Sequence, residues 1–366
     1  MGSIAIIGAG NVGQAIAGHM SYKGHDVRIF DRWGRDLEPI RANDGIDMTG
    51  DVEGHGTPSV LTTDLGQAVS GAEVVIVAAP AFAHAYLSKE LASVLQPDQL
   101  VLFQPGVLGS GVELARMFTI AGRQPCLIAE TPTSLYTCRL RRPAHVYIGA
   151  IKRAVPLAAV PSADTPRALD ILRAYFGDRY VPGEDALTVG LNNCNAIYHV
   201  PPAVLNFKTV EDADRHPLHS LVTPRIAEVI DALDRERLAL ADALGVKAAS
   251  FWDFLNTAYG VTEGSFVERI VQGYGRQGFP EPDSVKHRYF TEDISFGLVI
   301  WSSLAAQIGL SLPLTDSFVT LSGPLCGQDF VAGGRTAQTL GLLGSDVDGI
   351  RAAFIDGTVQ NGRHTP

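Results

Sequence analysis

The chain opens on an unbroken apolar run, Ile4 to Ile7, followed at once by GAGNVG and then by QAIAGHMSYKG, where small and apolar residues recur at helical spacing. That order predicts a strand, a glycine turn and a helix ending at Gly24. DVRIFD then alternates as a second strand and stops at Asp31, about twenty residues beyond the glycines. Three more apolar runs follow, EVVIVAAP (Glu73 to Pro80), QLVLFQPG (Gln99 to Gly106) and PCLIAET (Pro125 to Thr131), with helical stretches between them. Continuous apolar strands alternating with helices predict a parallel sheet covered on both faces, with ligands at its carboxyl edge, where Ala79-Pro80 and Pro105-Gly106 fall. The connection NDGIDMTGDVEGHGTP is polar and glycine-rich, so it predicts a solvated loop or small hairpin and no core element.

After YVPGED (Tyr180 to Asp185) strand signals thin out and helical ones dominate. The best of these is TPRIAEVIDALDRERLALADALG, with Thr223 as N-cap, Pro224 at the first helical position and Gly245 as the stop. The fold class expected is α/β: an N-terminal Rossmann doubly wound parallel sheet over residues 1–183, then an all-helical C-terminal domain over 184–366. Such a layout places a reaction in the cleft between the two domains. One stretch, Ile294 to Leu314, carries no charge and is long enough to span a bilayer. Its serines, Gln307 and the absence of basic flanks predict a buried core helix instead.

Composition narrows the partners. The 366 residues carry a formal net charge of -10 and no basic run longer than Arg141-Arg142, which argues against nucleic acid and anionic membranes and for small molecules. Arg141 and Arg142 themselves read as solvated surface charges. Four scattered cysteines without a CxxC argue against a metal site or a disulfide framework. With no signal-peptide pattern at the N-terminus, a reducing, cytoplasmic setting is expected.

The glycine turn supplies the first candidate chemistry. Gly8 permits the tight turn, Gly10 lets backbone approach a pyrophosphate, and Gly13 lets helix and strand pack closely; Asn11 opens a helix whose free N–H groups face the phosphates. Asp31 would accept from an adenosine ribose hydroxyl, and Pro80 closes a strand at the ligand edge. Asp31 favours NAD, since a 2′-phosphate would meet a like charge, while the adjacent Arg32 keeps NADP open.

The second candidate lies in GLNNCNAIYHVPP, Gly190 to Pro202. On a continuous helix Asn192, Asn195 and His199 share one face. Pro201 and Pro202 would stop or kink that helix near His199, and a carbonyl end there would favour imidazolium, suiting a general acid. A buried histidine satisfied by its amide neighbours fits this segment equally well. A further segment, VKHRYFTEDISFG, has Thr291 as a helix cap and Asp293 in the first turn; beside His199, Asp293 would supply the carboxylate that orients a catalytic imidazole.

These segments, with ETPTSLYTCRLRRP (Glu130 to Pro143), resemble the opine dehydrogenase family. The resemblance runs through GAGNVG, ET...TCR, the NxNxxxH pattern from Asn193 to His199, and RYFTEDISFGL. It implies reductive condensation of an amino acid with a 2-oxo acid, commonly pyruvate, using NAD(P)H. It also implies that His199 is the catalytic histidine, Asp293 its partner and Arg288 a substrate-binding arginine, with Asn195 on the histidine's side. Arg139 in TCR is a second candidate for holding a substrate carboxylate. Many members have proline directly after the histidine, whereas Val200 intervenes here. Two other readings use the same features: an oxo-acid or hydroxy-acid dehydrogenase without an amine substrate, and a non-catalytic NAD-responsive protein. The first would more typically place a lysine in its site, and neither Lys208 nor Lys286 is well placed. A homodimer is compatible with all three.

Overall fold

The computed structural model describes residues 2–275 and 282–358, so the end of the expected helical domain, 359–366, lies outside the described residues. The chain divides into two compact units, one up to Gly190 that also takes in the described residues from Ala352 on, the other Leu191–Arg351.

Among the described residues the first unit contains twelve strands: β1 (Ser3–Ile7), β2 (Asp26–Phe30), β3 (Ile46–Gly50), β4 (Gly54–Gly56), β5 (Val60–Thr62), β6 (Val74–Val77), β7 (Leu100–Phe103), β8 (Leu127–Glu130), β9 (Tyr136–Arg142), β10 (His145–Ile151), β11 (Val155–Val160) and β12 (Tyr180–Pro182). Eight of them form one sheet in the order β12-β11-β8-β7-β6-β1-β2-β5. From β5 to β8 the order is that of a doubly wound dinucleotide-binding sheet, all parallel, with its switch point between β1 and β6. Strand β11 adds antiparallel to β8. Residues of β1, β6 and β7 such as Ile4, Ile6, Val75, Ile76 and Leu102 are fully buried, as continuous apolar runs in a sheet covered on both faces must be.

The polar connection after β2 forms the small hairpin its sequence allows, but it departs from the expectation that it is no core element. It forms the β3-β4 hairpin and joins β9 and β10 in a second, four-stranded sheet, with β3 parallel to β10. Its few apolar residues are spaced two apart, so Ile46 and Met48 point to one face and are buried in the same core as Ile6 and Ile16. The helix Asn11–Tyr22 thereby packs against both sheets, and residues all around it are buried. The signal for this strand lies in the alternate positions of Ile46 and Met48, not in the number of apolar residues.

The second unit is helical. Pro224–Ala243 is its longest helix, capped by the Thr223 hydroxyl accepting from the Ile226 N–H, as its sequence predicts. The uncharged stretch from Ile294 becomes a π-helical turn, Ile294–Leu298, and a helix, Val299–Gln307, that buries Trp301 and Leu304 before the chain turns at Gly309. No helix among the described residues is long and apolar enough to cross a membrane.

Candidate active site

In the first unit the end of β1 and the start of its helix form a cradle with the properties a dinucleotide requires. Gly8 has φ +114° and donates its N–H to Phe30 O at 2.9 Å, joining the ends of β1 and β2. A Cβ on Gly13 would lie 1.9 Å from Gly8 O, so only glycine lets the helix approach the turn this closely, whereas a Cβ on Gly10 would meet nothing within 4 Å. The open side of the turn is therefore at Gly10, where no side chain caps the helix and its first N–H groups remain for an anion. The Asn11 side chain is tied toward β9, its Oδ1 accepting from Leu140 N at 2.8 Å.

Asp31 ends β2 in a turn, its Oδ1 accepting from Trp33 N at 3.1 Å and Gly34 N at 2.7 Å. That fixes the carboxylate and leaves Oδ2 for a ribose hydroxyl. The Arg32 guanidinium is exposed and lies over Tyr86 at 4.0 Å and Trp33 at 4.8 Å. Pro80 is exposed where the chain leaves β6. Arg139 lies half-buried on β9, opposite Tyr147 of β10. Arg141 and Arg142 are exposed, as expected for surface charges.

In the second unit the asparagine-rich segment is not one helix. Ala186–Leu191 ends, the chain turns, and a new helix runs Asn195–Leu205. Each of the first two asparagines is used at the break: Asn192 Oδ1 accepts from Ala249 N at 2.7 Å, and Asn193 Oδ1 from Asn195 N at 2.9 Å. Asn192 therefore does not share a helix face with Asn195 and His199. The helix also does not stop at His199, since Pro201 and Pro202 lie inside it. Two ladder bonds are lost there, each worth about 0.5–1.5 kcal/mol. Against that stand Val200, Pro201, Pro202, Ala203 and Val204, all buried, with apolar side chains of Val size contributing roughly 1.5 kcal/mol or more each. Packing decides the path, and Asn206 Nδ2 closes the end by donating to Pro202 O and Leu221 O.

Because His199 is not at a carbonyl end, the expected preference for imidazolium is absent. Burial instead holds its pKa below the ordinary histidine value; the Asp293 charge and hydrogen bond oppose this, and the neighbouring Arg288 and His287 reinforce it. Asp293 Oδ2 accepts from His199 Nδ1 at 2.7 Å, with the two side chains 7% and 13% exposed. A carboxylate only accepts, so Nδ1 carries the proton and Nε2 is left as the acceptor nitrogen of the ring.

Asp293 reaches this position through a local departure from the sequence expectation. Thr291 does not cap the following helix; the short helix Arg288–Thr291 is capped by His287, whose Nδ1 accepts from Tyr289 N. The π-helical turn then begins with no side-chain cap at Asp293, which frees that carboxylate for His199. Such π-turns cost regular hydrogen bonding and occur frequently at functional sites. Tyr289 stacks on the His199 ring at 4.0 Å and 23°, and His287 packs edge-on against Tyr289 at 4.2 Å. Both escaped the sequence reading although they flank Arg288. Arg288 itself is exposed beside this pair, and Asn195 is half-buried in the first turn of the His199 helix.

A lysine also escaped it. Lys152, directly after β10, donates from Nζ to Thr133 Oγ1 at 2.6 Å and Ser134 O at 2.8 Å. Among the described residues no group of His, Cys, Asp and Glu could hold a metal, and all four cysteines are free.

Comparison with known proteins places both units among known families. Residues 182–326 match the NAD/NADP octopine/nopaline dehydrogenase alpha-helical domain, and residues 4–153 match ketopantoate reductase PanE/ApbA. An opine dehydrogenase of Arthrobacter sp. (strain 1C) is 32% identical over 351 residues, 95% of this chain and 98% of that protein. Vitopine synthase of Allorhizobium ampelinum is 27% identical over 94% of this chain and 97% of its own length. The fold is similar to that of an octopine dehydrogenase solved with NADH and L-arginine, at TM-score 0.78 and 19% identity over 98% of both chains. With a relative of that identity aligned along nearly its whole length, this chain belongs to the opine dehydrogenase family of NAD(P)-dependent oxidoreductases.

Proposed function

We propose that the chain joins an amino acid to a 2-oxo acid, pyruvate being the first candidate, with His199 and Asp293 as its proton-handling pair. The observation that carries the residue assignment is the buried 2.7 Å contact between His199 Nδ1 and Asp293 Oδ2. When bound, NAD(P)H supplies the hydride that reduces the imine carbon. Gly8, Gly10, Gly13 and the Asn11 backbone would hold its pyrophosphate, Asp31 a ribose hydroxyl, and Arg32 a 2′-phosphate where one is present. Pro80 would border the same edge of the sheet.

Burial keeps His199 neutral near pH 7, so Nε2 can accept a proton from the substrate ammonium and release the amine as a nucleophile. After the amine adds to the oxo carbon, the His199 imidazolium returns that proton to the carbinolamine hydroxyl, which leaves as water and yields the iminium. Asp293 stabilises the imidazolium between the two transfers and fixes the tautomer that keeps Nε2 free. Tyr289, stacked on the ring, restricts its rotation. The Arg288 guanidinium offers a bidentate fork to a substrate carboxylate, with Asn195 as a further polar contact in the same unit.

The test is NADH oxidation in the presence of pyruvate with amino acids added one at a time. Oxidation that depends on particular amino acids is expected. Full oxidation with pyruvate alone would overturn the amine step and leave a plain oxo-acid reductase.

A further inference from the structure

We propose that Lys152 seats a carboxylate of the oxo-acid substrate, a cation site in the dinucleotide-binding unit that is separate from Arg288. The proposal rests on the oxo-acid reading above and adds a residue to it.

Lys152 is held firmly at its backbone: its N–H donates to Leu135 O at 2.9 Å and its carbonyl accepts from Arg179 Nη1 at 3.1 Å. Its ammonium has three donors, of which two go to Thr133 Oγ1 and Ser134 O. Both acceptors are neutral, and both lie in the turn that follows β8. No carboxylate pairs with the ammonium among the described residues; the one group favouring its charge is the Cys138 thiol, itself pushed up to about 12 by burial and so uncharged. Burial in this setting brings the Lys152 pKa down to about 8. An uncompensated buried cation is costly, and a neutral glutamine could make similar hydrogen bonds to Thr133 and Ser134 without that cost. One spare donor and one spare positive charge complement a single carboxylate.

Position distinguishes the ligand. The turn lies at the carboxyl end of a parallel strand, the edge at which such sheets bind ligands. It is three strands from β1 in the sheet order, about 14 Å from the glycine turn at normal strand spacing. A pyrophosphate at the glycines would not reach it, whereas a substrate beyond the nicotinamide half could.

The experiment is titration of NADH-saturated protein with oxamate, an unreactive isostere of pyruvate, comparing wild type with Lys152→Gln, which keeps hydrogen-bonding groups for the turn but has no charge. Loss of a charge-assisted contact should weaken oxamate about 10- to 100-fold. NADH affinity and the melting temperature, which report the integrity of the same unit, should hold. Oxamate affinity within threefold of wild type would overturn the assignment to Lys152. Wild-type protein that binds NADH but no oxamate would instead overturn the oxo-acid reading beneath it. Should Lys152→Gln not fold, trace acetylation of wild type serves in its place: saturating oxamate is expected to protect Lys152, and equal labelling with and without it would refute the site.

Discussion

Replacing Asp293 by asparagine keeps the shape of the side chain and removes only its charge and its obligate acceptor character. In the wild type, Oδ2 sits 2.7 Å from His199 Nδ1, and neither side chain is more than 13% exposed. A hydrogen bond to a charged group is worth about 1.5–3 kcal/mol, or roughly 10- to 150-fold in rate where the imidazolium forms in the rate-limiting step. Asparagine can also present its amide N–H to Nδ1, which would favour the tautomer with the proton on Nε2; in a serine-protease triad that error costs about 10⁴-fold. Asp293→Asn is therefore expected to lower kcat by at least tenfold at pH 7. Because the Asp293 charge and hydrogen bond raise the His199 pKa against burial, their loss should move the acid limb of kcat/KM to lower pH. The assay is NADH oxidation with pyruvate and the preferred amino acid from pH 5 to 9, with NADH binding followed separately by fluorescence. NADH affinity should hold, since Asp31 and the glycine turn belong to the other unit. A kcat within threefold of wild type, with an unmoved acid limb, would refute the pairing as catalytic.

Gly13→Ala would place a methyl group 1.9 Å from a backbone oxygen that cannot swing aside, so a loss of about 3 kcal/mol in stability and of NADH binding is expected; wild-type melting and NADH affinity would disprove the close approach. Arg237→Met should cost about 3–5 kcal/mol in urea unfolding, because Arg237 and Asp234 are 0% and 3% exposed and removing the arginine strands a buried carboxylate. Arg237 also donates to Leu191 O and Ala249 O, which flank the break before the His199 helix, so kcat should fall with stability; an unchanged urea midpoint would show the pair to be dispensable. Acidification should weaken the wild-type fold: with the folded-state His199 pKa lowered, the unfolded chain binds more protons as pH falls through and below 6.5, and stability declines there. A midpoint that does not fall between pH 7 and 5 would contradict the burial of neutral His199.

Much of this protein could be read from local order. A strand, a glycine turn, a helix and an acid about twenty residues on suffice to specify a dinucleotide cradle, because each glycine meets a steric demand set within a few residues of it. Thr223-Pro224 and Gly245 delimit their helix for the same reason: capping is decided by immediate neighbours. Spaced motifs also pointed to His199, Asp293 and Arg288 as one chemical group.

What the sequence did not determine depends on partners distant along the chain. Ile46 and Met48 join the core only because β10, about a hundred residues later, pairs with β3. The His199 helix runs through two prolines because buried contacts outweigh the lost backbone bonds, and it begins at Asn195 after a break where Asn192 accepts from Ala249 N and Asn193 from Asn195 N. Lys152 looks unremarkable until the fold removes water from it and, among the described residues, gives it no acid in return. Local propensities settle what a segment can become; burial, charge and tautomer at the site are set by groups that only the tertiary structure brings within a few ångströms.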